Sequence, residues 1–311
     1  VKAIFMGTPQ FAIASLEALY ESKFDIKLVI TQPDRPKGRG KKLQSPPVKE
    51  KAIELNLDVF QPESIKDKKA IDIIRDINPD IIVVVAFGQI LPKEVLEIPR
   101  FGCINVHASL LPRYRGAAPI NFAIINGEKK SGITTMFMDE GLDTGDMILK
   151  DEVEILETDT FLDLHDKLSS LGKKTLSKTL NLIIEEKAPR EKQNNEKSSY
   201  APIMKKSLGL IDWSKSSREI VNLVRGTYPW PSAFTYYNNL VMKVLRAEYD
   251  EEASLTVPGT ILRVDNEGIK VAAGEGTVII KEIQMPGKKQ MMVSEYIKGN
   301  KIKEHMVLKN E

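Results

Sequence analysis

Two hydrophobic rhythms divide the chain. Up to about residue 185, apolar runs of strand length alternate with stretches whose apolar residues recur at helical spacing. This pattern predicts strands over 1–7, 24–31, 79–87, 102–107, 132–139 and 146–155. It predicts helices over 9–22, 46–56, 67–78, 118–127 and 160–185. The run IIVVVAF (81–87) holds no polar residue, as a strand covered on both faces would. Strands alternating with helices imply a parallel sheet with right-handed crossovers, and 102–107 is expected near its centre. Beyond about residue 208 the rhythm changes. One helix (217–226) precedes short strands at 233–237, 240–248, 258–265, 268–273 and 276–283, separated by Gly, Pro and Asn. That is the pattern of a small barrel or sandwich. Between the two halves, EKAPREKQNNEKSSY (186–200) is polar and uneven and reads as a linker or exposed crossing segment.

Length and charge refine this picture only a little. A chain of 311 residues is comfortable for two domains. The 45 basic and 43 acidic residues nearly cancel, so no global field for nucleic acid follows. Cys103 is the one cysteine, which excludes an internal disulfide and a thiolate metal cluster. The histidines, His107, His165 and His305, are far apart, and no metal site is expected. The longest apolar run is too short to span a bilayer, and no signal segment is evident. The expectation is a cytoplasmic protein with no membrane association.

The loop after the first strand, FMGTPQFA (5–12), contains only Gly7. A dinucleotide fingerprint needs three glycines, so a nicotinamide-type site is disfavoured. Thr8 reads as a helix cap and Pro9 as the first helical residue. The next loop, DRPKGRGKKLQ (34–44), carries Arg35, Lys37, Arg39, Lys41 and Lys42 with no acid among them. A solvated surface loop is the ordinary explanation of such a run. Its position after a predicted strand, where open α/β sheets bind ligands, suits a phosphate-rich partner instead.

INVHASLLPRYRGAAPI (104–120) carries the sharpest signal. Residues two apart on a strand share a face, roughly 7 Å apart. Asn105 and His107 therefore point one way, and Ile104 and Val106 the other. A second segment, MDEGLDTGDM (138–147), places Asp143 between Gly141 and Gly145. If strands 102–107 and 132–139 are neighbours, both carboxyl ends are expected to open onto one crevice, with Asp143 in reach of His107. An amide donor, an imidazole and a carboxylate suit acyl transfer through a tetrahedral intermediate. No serine or cysteine is paired with His107, so the nucleophile is expected to belong to the substrate, such as an amine.

These two segments, with FMGTPQFA, TQPDRPKGRGKKLQSPPVK (31–49) and YPWPSAF (228–234), closely resemble the formyltransferases that use 10-formyltetrahydrofolate. The resemblance covers nearly the whole chain. It implies a Rossmann-like parallel-sheet formyltransferase domain over 1–188, a linker over 189–207, and a small OB-like β-barrel that binds tRNA over 208–311. It implies transfer of the formyl group of 10-formyltetrahydrofolate to the α-amine of initiator methionyl-tRNA, without a metal. Matched residue by residue, Asn105, His107 and Asp143 are the catalytic trio. Ser109, Leu110, Leu111 and Pro112 match the segment that holds the folate. Phe87, Gly88, Gln89 and Ile90, in the loop 86–92, match the lining of the pterin pocket, with Phe87 where a tyrosine is common. The basic loop matches a tRNA-reading insertion, with Arg39 as the key contact beside Lys41 and Lys42, and Lys206 is expected to touch the acceptor stem. A monomer is expected. Trp213 and Trp230 are expected in the core. Within the same family, a glycinamide ribonucleotide or sugar-nucleotide amine is the alternative acceptor. An RNA-binding module without catalysis is the alternative of another class, and the intact trio argues against it.

Overall fold

In the computed structural model the described residues are 1–37, 42–252 and 254–309. In chain order the elements are β1 (Lys2–Gly7), α1 (Ile13–Tyr20), β2 (Asp25–Ile30), β3 (Arg35–Lys37), β4 (Lys42–Gln44), α2 (Pro47–Glu54), β5 (Val59–Phe60), α3 (Lys68–Ile77), β6 (Ile81–Val85), α4 (Lys93–Leu96), β7 (Cys103–His107), β8 (Arg115–Gly116), α5 (Pro119–Ile125), β9 (Lys130–Phe137), β10 (Met147–Glu154), α6 (Phe161–Ile184) and β11 (Tyr200–Ala201). After these come α7 (Ser217–Thr227), β12 (Ala233–Tyr237), β13 (Leu240–Asp250), β14 (Ile261–Asp265), β15 (Gly268–Ala272), β16 (Thr277–Gln284), β17 (Met291–Met292) and α8 (Val293–Tyr296). The chain divides into two compact units, one formed by 1–116, 131–154 and 165–201, the other by 117–130, 155–164 and 202–311.

The first unit is built on a seven-stranded sheet of order β10-β9-β7-β6-β1-β2-β5. The strands from β5 across to β7 run parallel. Every residue of β6 is buried, as its unbroken apolar run requires. One face of the sheet, including Ile4, Met6, Ile30, Ile82, Val84 and Cys103, packs with Ala70 and Ile74 of α3 and Val95 of α4. Asn105 and His107 continue the Cys103 face by strand alternation. On the opposite face Val106 lies against Gly172 of α6.

Two expectations change here. The sheet is mostly, not wholly, parallel: β9 pairs with β7 antiparallel, with His107 opposite Thr134 and Ile104 opposite Phe137. The two carboxyl ends therefore lie at opposite ends of the pair. In addition, the basic segment is not a plain loop throughout. Arg35 pairs with Gln44, Pro36 with Leu43 and Lys37 with Lys42 in a short antiparallel ladder. Arg39 and Lys41 lie outside the described residues.

In the second unit a six-stranded antiparallel sheet follows the order β12-β13-β16-β15-β14, with β17 on β16. Its buried face packs on Ile220, Val221 and Val224 of α7 and on Trp213. Ser216 and Glu219 start α7 with a reciprocal capping box. Among the described residues no strand-to-strand ladder closes this sheet on itself. Trp213 is buried, but Trp230 is 53% exposed, so it is no part of the core. Among the described residues no helix is long and apolar enough to cross a membrane.

Candidate active site

The connectivity of the first unit creates the crevice. From β1 the chain moves outward to β2 and β5, then returns to β6 on the other side of β1. The carboxyl ends of β1 and β6 thus flank a reversal of strand order, where open α/β sheets bind ligands. Thr8 joins these ends and is not a helix cap. Its Oγ1 donates to the Phe87 carbonyl at 3.0 Å and accepts from Gln32 N at 3.3 Å. Gln32 Nε2 donates to the same carbonyl at 3.2 Å. The residue starting the first helical turn is consequently Gln10, preceded by Pro9, with no side-chain cap.

The predicted pterin-lining residues sit on this loop in different ways. Phe87 turns its ring into the core beside Ile4 and Ile82 and leaves its carbonyl at the crevice. Gly88 adopts φ +86°, with open space on its Cβ side save Gln32. Gln89 is used by the protein, accepting from Ile65 N at 2.7 Å and donating to the Glu63 carbonyl at 3.3 Å. Ile90 is exposed.

The segment Ser109, Leu110, Leu111, Pro112 leaves the end of β7. Buried Thr134 pins it by donating to the Ser109 carbonyl at 2.7 Å and accepting from Leu111 N at 3.1 Å. Ser109 Oγ donates to the Arg113 carbonyl at 2.6 Å. The Ser109 and Leu111 side chains are both buried, and Leu110 packs against Gly132.

The structure brings Asn105, His107 and Asp143 together. Asn105 Nδ2 donates to Asp143 Oδ1 at 3.3 Å, and His107 Nδ1 stands 3.7 Å from Asp143 Oδ2. Gly116 N donates to the same Oδ2 at 2.8 Å. His107 Nε2 lies 2.9 Å from the Tyr114 carbonyl. A carbonyl only accepts, so Nε2 carries a proton and Nδ1 is the ring atom turned toward the carboxylate. Asn105 and His107 are both nearly buried. Asp143 arrives from the far end of β9, because the turn 138–147 folds back along β7 after Met138 N donates to the Cys103 carbonyl at 2.8 Å. Asp143 itself is left-handed at φ +54°, a conformation that Asp tolerates better than most residues. A Cβ on Gly145 would lie 1.8 Å from the Phe137 carbonyl oxygen, so only glycine lets the turn close so tightly.

Three neighbours of the trio had no signal in the sequence reading. Tyr114 and Gly116 follow His107 along the same segment but contribute through the main chain. Gln193, in the polar stretch read as linker, donates through Nε2 to the carbonyls of Asp143 (2.8 Å) and Gly145 (2.9 Å). Among the described residues no group of His, Cys, Asp and Glu could hold a metal ion. Lys206 opens a short helical turn in the second unit, Lys206–Gly209.

An amide donor, an imidazole and a carboxylate thus converge beside the crevice of this sheet. The formyl transferase family matches residues 1–180, and its C-terminal domain matches 203–301. A methionyl-tRNA formyltransferase of Clostridioides difficile is 60% identical over 308 residues, covering 99% of this chain and 100% of that protein. One of Clostridium novyi is 54% identical with the same coverage. The crystal structure of a sugar 3N-formyl transferase, obtained with dTDP and 5-N-formyl-THF, shares the fold at a TM-score of 0.68. It is 22% identical and covers 93% of this chain and 99% of its own. The chain belongs to the formyl transferase family, among relatives that are methionyl-tRNA formyltransferases along their whole length.

Proposed function

We propose that this chain transfers the formyl group of 10-formyltetrahydrofolate to the α-amine of initiator methionyl-tRNA. The observation that carries the reading is the convergence of Asn105, His107 and Asp143 in a chain with full-length methionyl-tRNA formyltransferase relatives. The sugar-nucleotide alternative is weaker, since the solved sugar N-formyltransferases share the fold at only 22–23% identity.

The folate lies along the loop 86–90 and the segment 109–112, with its formyl carbon against Asn105 and His107. The neutral α-amine, whose pKa lies near 7.7–8.0, attacks that carbon. The carbonyl electrons move onto the formyl oxygen, where the Asn105 amide supplies its second N–H to the oxyanion. The new ammonium loses its proton at His107 Nδ1, directly or through a water held by Asp143. The oxyanion then re-forms the C=O bond, the C–N10 bond breaks and N10 takes up the proton held at His107, giving formylmethionyl-tRNA and tetrahydrofolate. Asp143 orients the imidazole and balances its charge.

Arg39 is the main tRNA contact of the basic segment, supported by Lys41, Lys42 and, at the end of the 189–207 linker, Lys206. Residues 1–188 carry the chemistry and 208–311 bind tRNA, with 189–207 as linker. An OB-like barrel for the second unit is supported by bridges from the last residues to both rims, Val307 to Thr260 and Lys309 to Tyr236. The working form is a cytoplasmic monomer.

The test offers 10-formyltetrahydrofolate with initiator methionyl-tRNA, glycinamide ribonucleotide or an amino-sugar nucleotide. Product on the tRNA alone is expected. Preferential formylation of a small amine would overturn the reading. Arg39→Ala should cut the tRNA rate without touching folate binding, and each lost phosphate contact should change the log–log salt slope by about 0.7–0.9.

A further inference from the structure

The polar stretch after α6 is bonded to both loops that meet at the trio. Glu191 and Met147 exchange backbone hydrogen bonds of 2.8 and 2.9 Å. Ser199 Oγ accepts from Tyr114 N at 2.9 Å, and the Ser199 carbonyl accepts from Arg115 N at 2.9 Å. β11 then pairs with β8, Tyr200 opposite Arg115 and Ala201 opposite Gly116. The fit is close: a Cβ on Gly116 would stand 2.7 Å from the Ala201 carbonyl oxygen. Gly116 is also the residue whose N–H holds Asp143 Oδ2.

Gln193 is the centre of this strap. Its Nε2 spends its donors on the carbonyls of Asp143 and Gly145, and its Oε1 accepts from Arg115 Nε at 3.0 Å and Nη2 at 2.7 Å. Arg115 Nη2 also donates to Asn195 Oδ1 at 2.8 Å. A guanidinium cannot accept and a carbonyl cannot donate, so only one orientation of the Gln193 amide satisfies all four bonds. The carbonyls it holds flank the turn in which Asp143 is left-handed. Without those bonds the turn keeps its glycines and loses one restraint on where the carboxylate points, beside those from Asn105 and Gly116.

We infer that Gln193, oriented by Arg115, is the positioning residue for Asp143: it fixes the carboxylate on Asn105 and His107 through the main chain of the 143–145 turn. Gln193 touches neither the formyl donor nor the amine. This assignment rests on the trio reading above, because it takes Asp143 as the group being aimed. It also gives the 191–201 stretch a catalytic consequence, beyond that of a spacer.

The test uses the full-length chain with Gln193→Leu and Gln193→Glu. Leucine removes all four bonds. Glutamate keeps the partner of Arg115 but sets a carboxylate against two carbonyls, so it removes only the donors while retaining the tie to β8. Both variants should lose about 10²-fold in kcat, the scale of an ångström of misplacement, with KM for the folate unchanged. In an Asp143→Asn background Gln193→Leu should add little further loss, since residues acting as one unit are not additive. The ring resonances of His107 should move in the same way in Gln193→Leu and in Asp143→Asn, a readout that needs no substrate. Near-wild-type turnover of Gln193→Glu, a multiplied loss in the double variant, or unmoved His107 resonances in Gln193→Leu would each overturn the assignment. Failure of the wild type to formylate methionyl-tRNA would instead sink the functional reading, and the resonance comparison would still judge the positioning role.

Discussion

His107 donates through Nε2 to the Tyr114 carbonyl at 2.9 Å. This bond leaves Nδ1 facing Asp143 Oδ2, the nitrogen that the proposed proton path uses. In its neutral form His107 should therefore be the Nε2–H tautomer, visible in the ¹⁵N shifts of the ring. A dominant Nδ1–H form would contradict the proton path through Nδ1. His107→Ala should lose on the order of 10²–10⁴ in formylation rate while still binding folate. A folded variant with ordinary turnover would remove His107 from the mechanism.

Asn105 and Asp143 should be separable by chemistry. Asn105→Ala removes the proposed oxyanion donor and should slow the reaction by roughly 10²–10³-fold. Asp143→Asn conserves shape but puts an NH₂ where Asp143 now accepts from both Asn105 and Gly116. One of those donors must then face another donor, so the turn loses a bond as well as a charge. We expect loss of kcat beyond that of Asn105→Ala and a native-like circular dichroism spectrum. Turnover of Asp143→Asn within a few-fold of wild type would show that the charge is dispensable.

Gly145→Ala tests the turn without altering any reacting group. Its Cβ would fall 1.8 Å from the Phe137 carbonyl oxygen, so the backbone must shift and carry Asp143 with it. About 10²-fold in kcat should be lost, with folate affinity retained. Steady-state kinetics beside folate binding measured by fluorescence give the split. A loss confined to folate affinity would mean that the turn serves the donor pocket rather than Asp143.

Cys103 lies on the same strand face two residues before Asn105, yet burial pushes its thiol up to about 12. Alkylating reagents should leave it untouched at pH 8 in the native protein and modify it once the chain unfolds. Rapid native labelling would show that this part of the sheet opens readily. The same shift sets a sign. With the folded value raised above the ordinary 9.0, the unfolded chain loses the proton first, so stability should fall as pH rises from about 9 toward 12. Denaturant melts across that window, compared with Cys103→Ala, isolate the contribution of this group.

Much of the architecture was legible because strand and helix periodicity is a local property. The strand at Cys103–His107 and the helix at Phe161–Ile184 lie within a residue or so of where the pattern placed them. Likewise, the shared face of Asn105 and His107 follows from the pleat alone. The glycines around Asp143 announced a tight turn before any partner was known. The short pair Val59–Phe60 and the ladder flanking the basic segment went unread, since two- and three-residue strands have too few positions to show a period.

The sequence by itself determined the longer strands and helices, the residue types proposed for the trio and the face from which two of its members project. Only the tertiary structure decided the direction of β9, which sends the Asp143 turn back along β7 from the opposite end. It also turned Thr8 from a cap into a tie between strand ends, and placed Gln193 under the turn, 50 residues along the chain from Asp143. Pairing direction and polar contacts across such separations leave no periodic trace. They are settled by which donors and acceptors meet once the sheet has brought distant segments side by side.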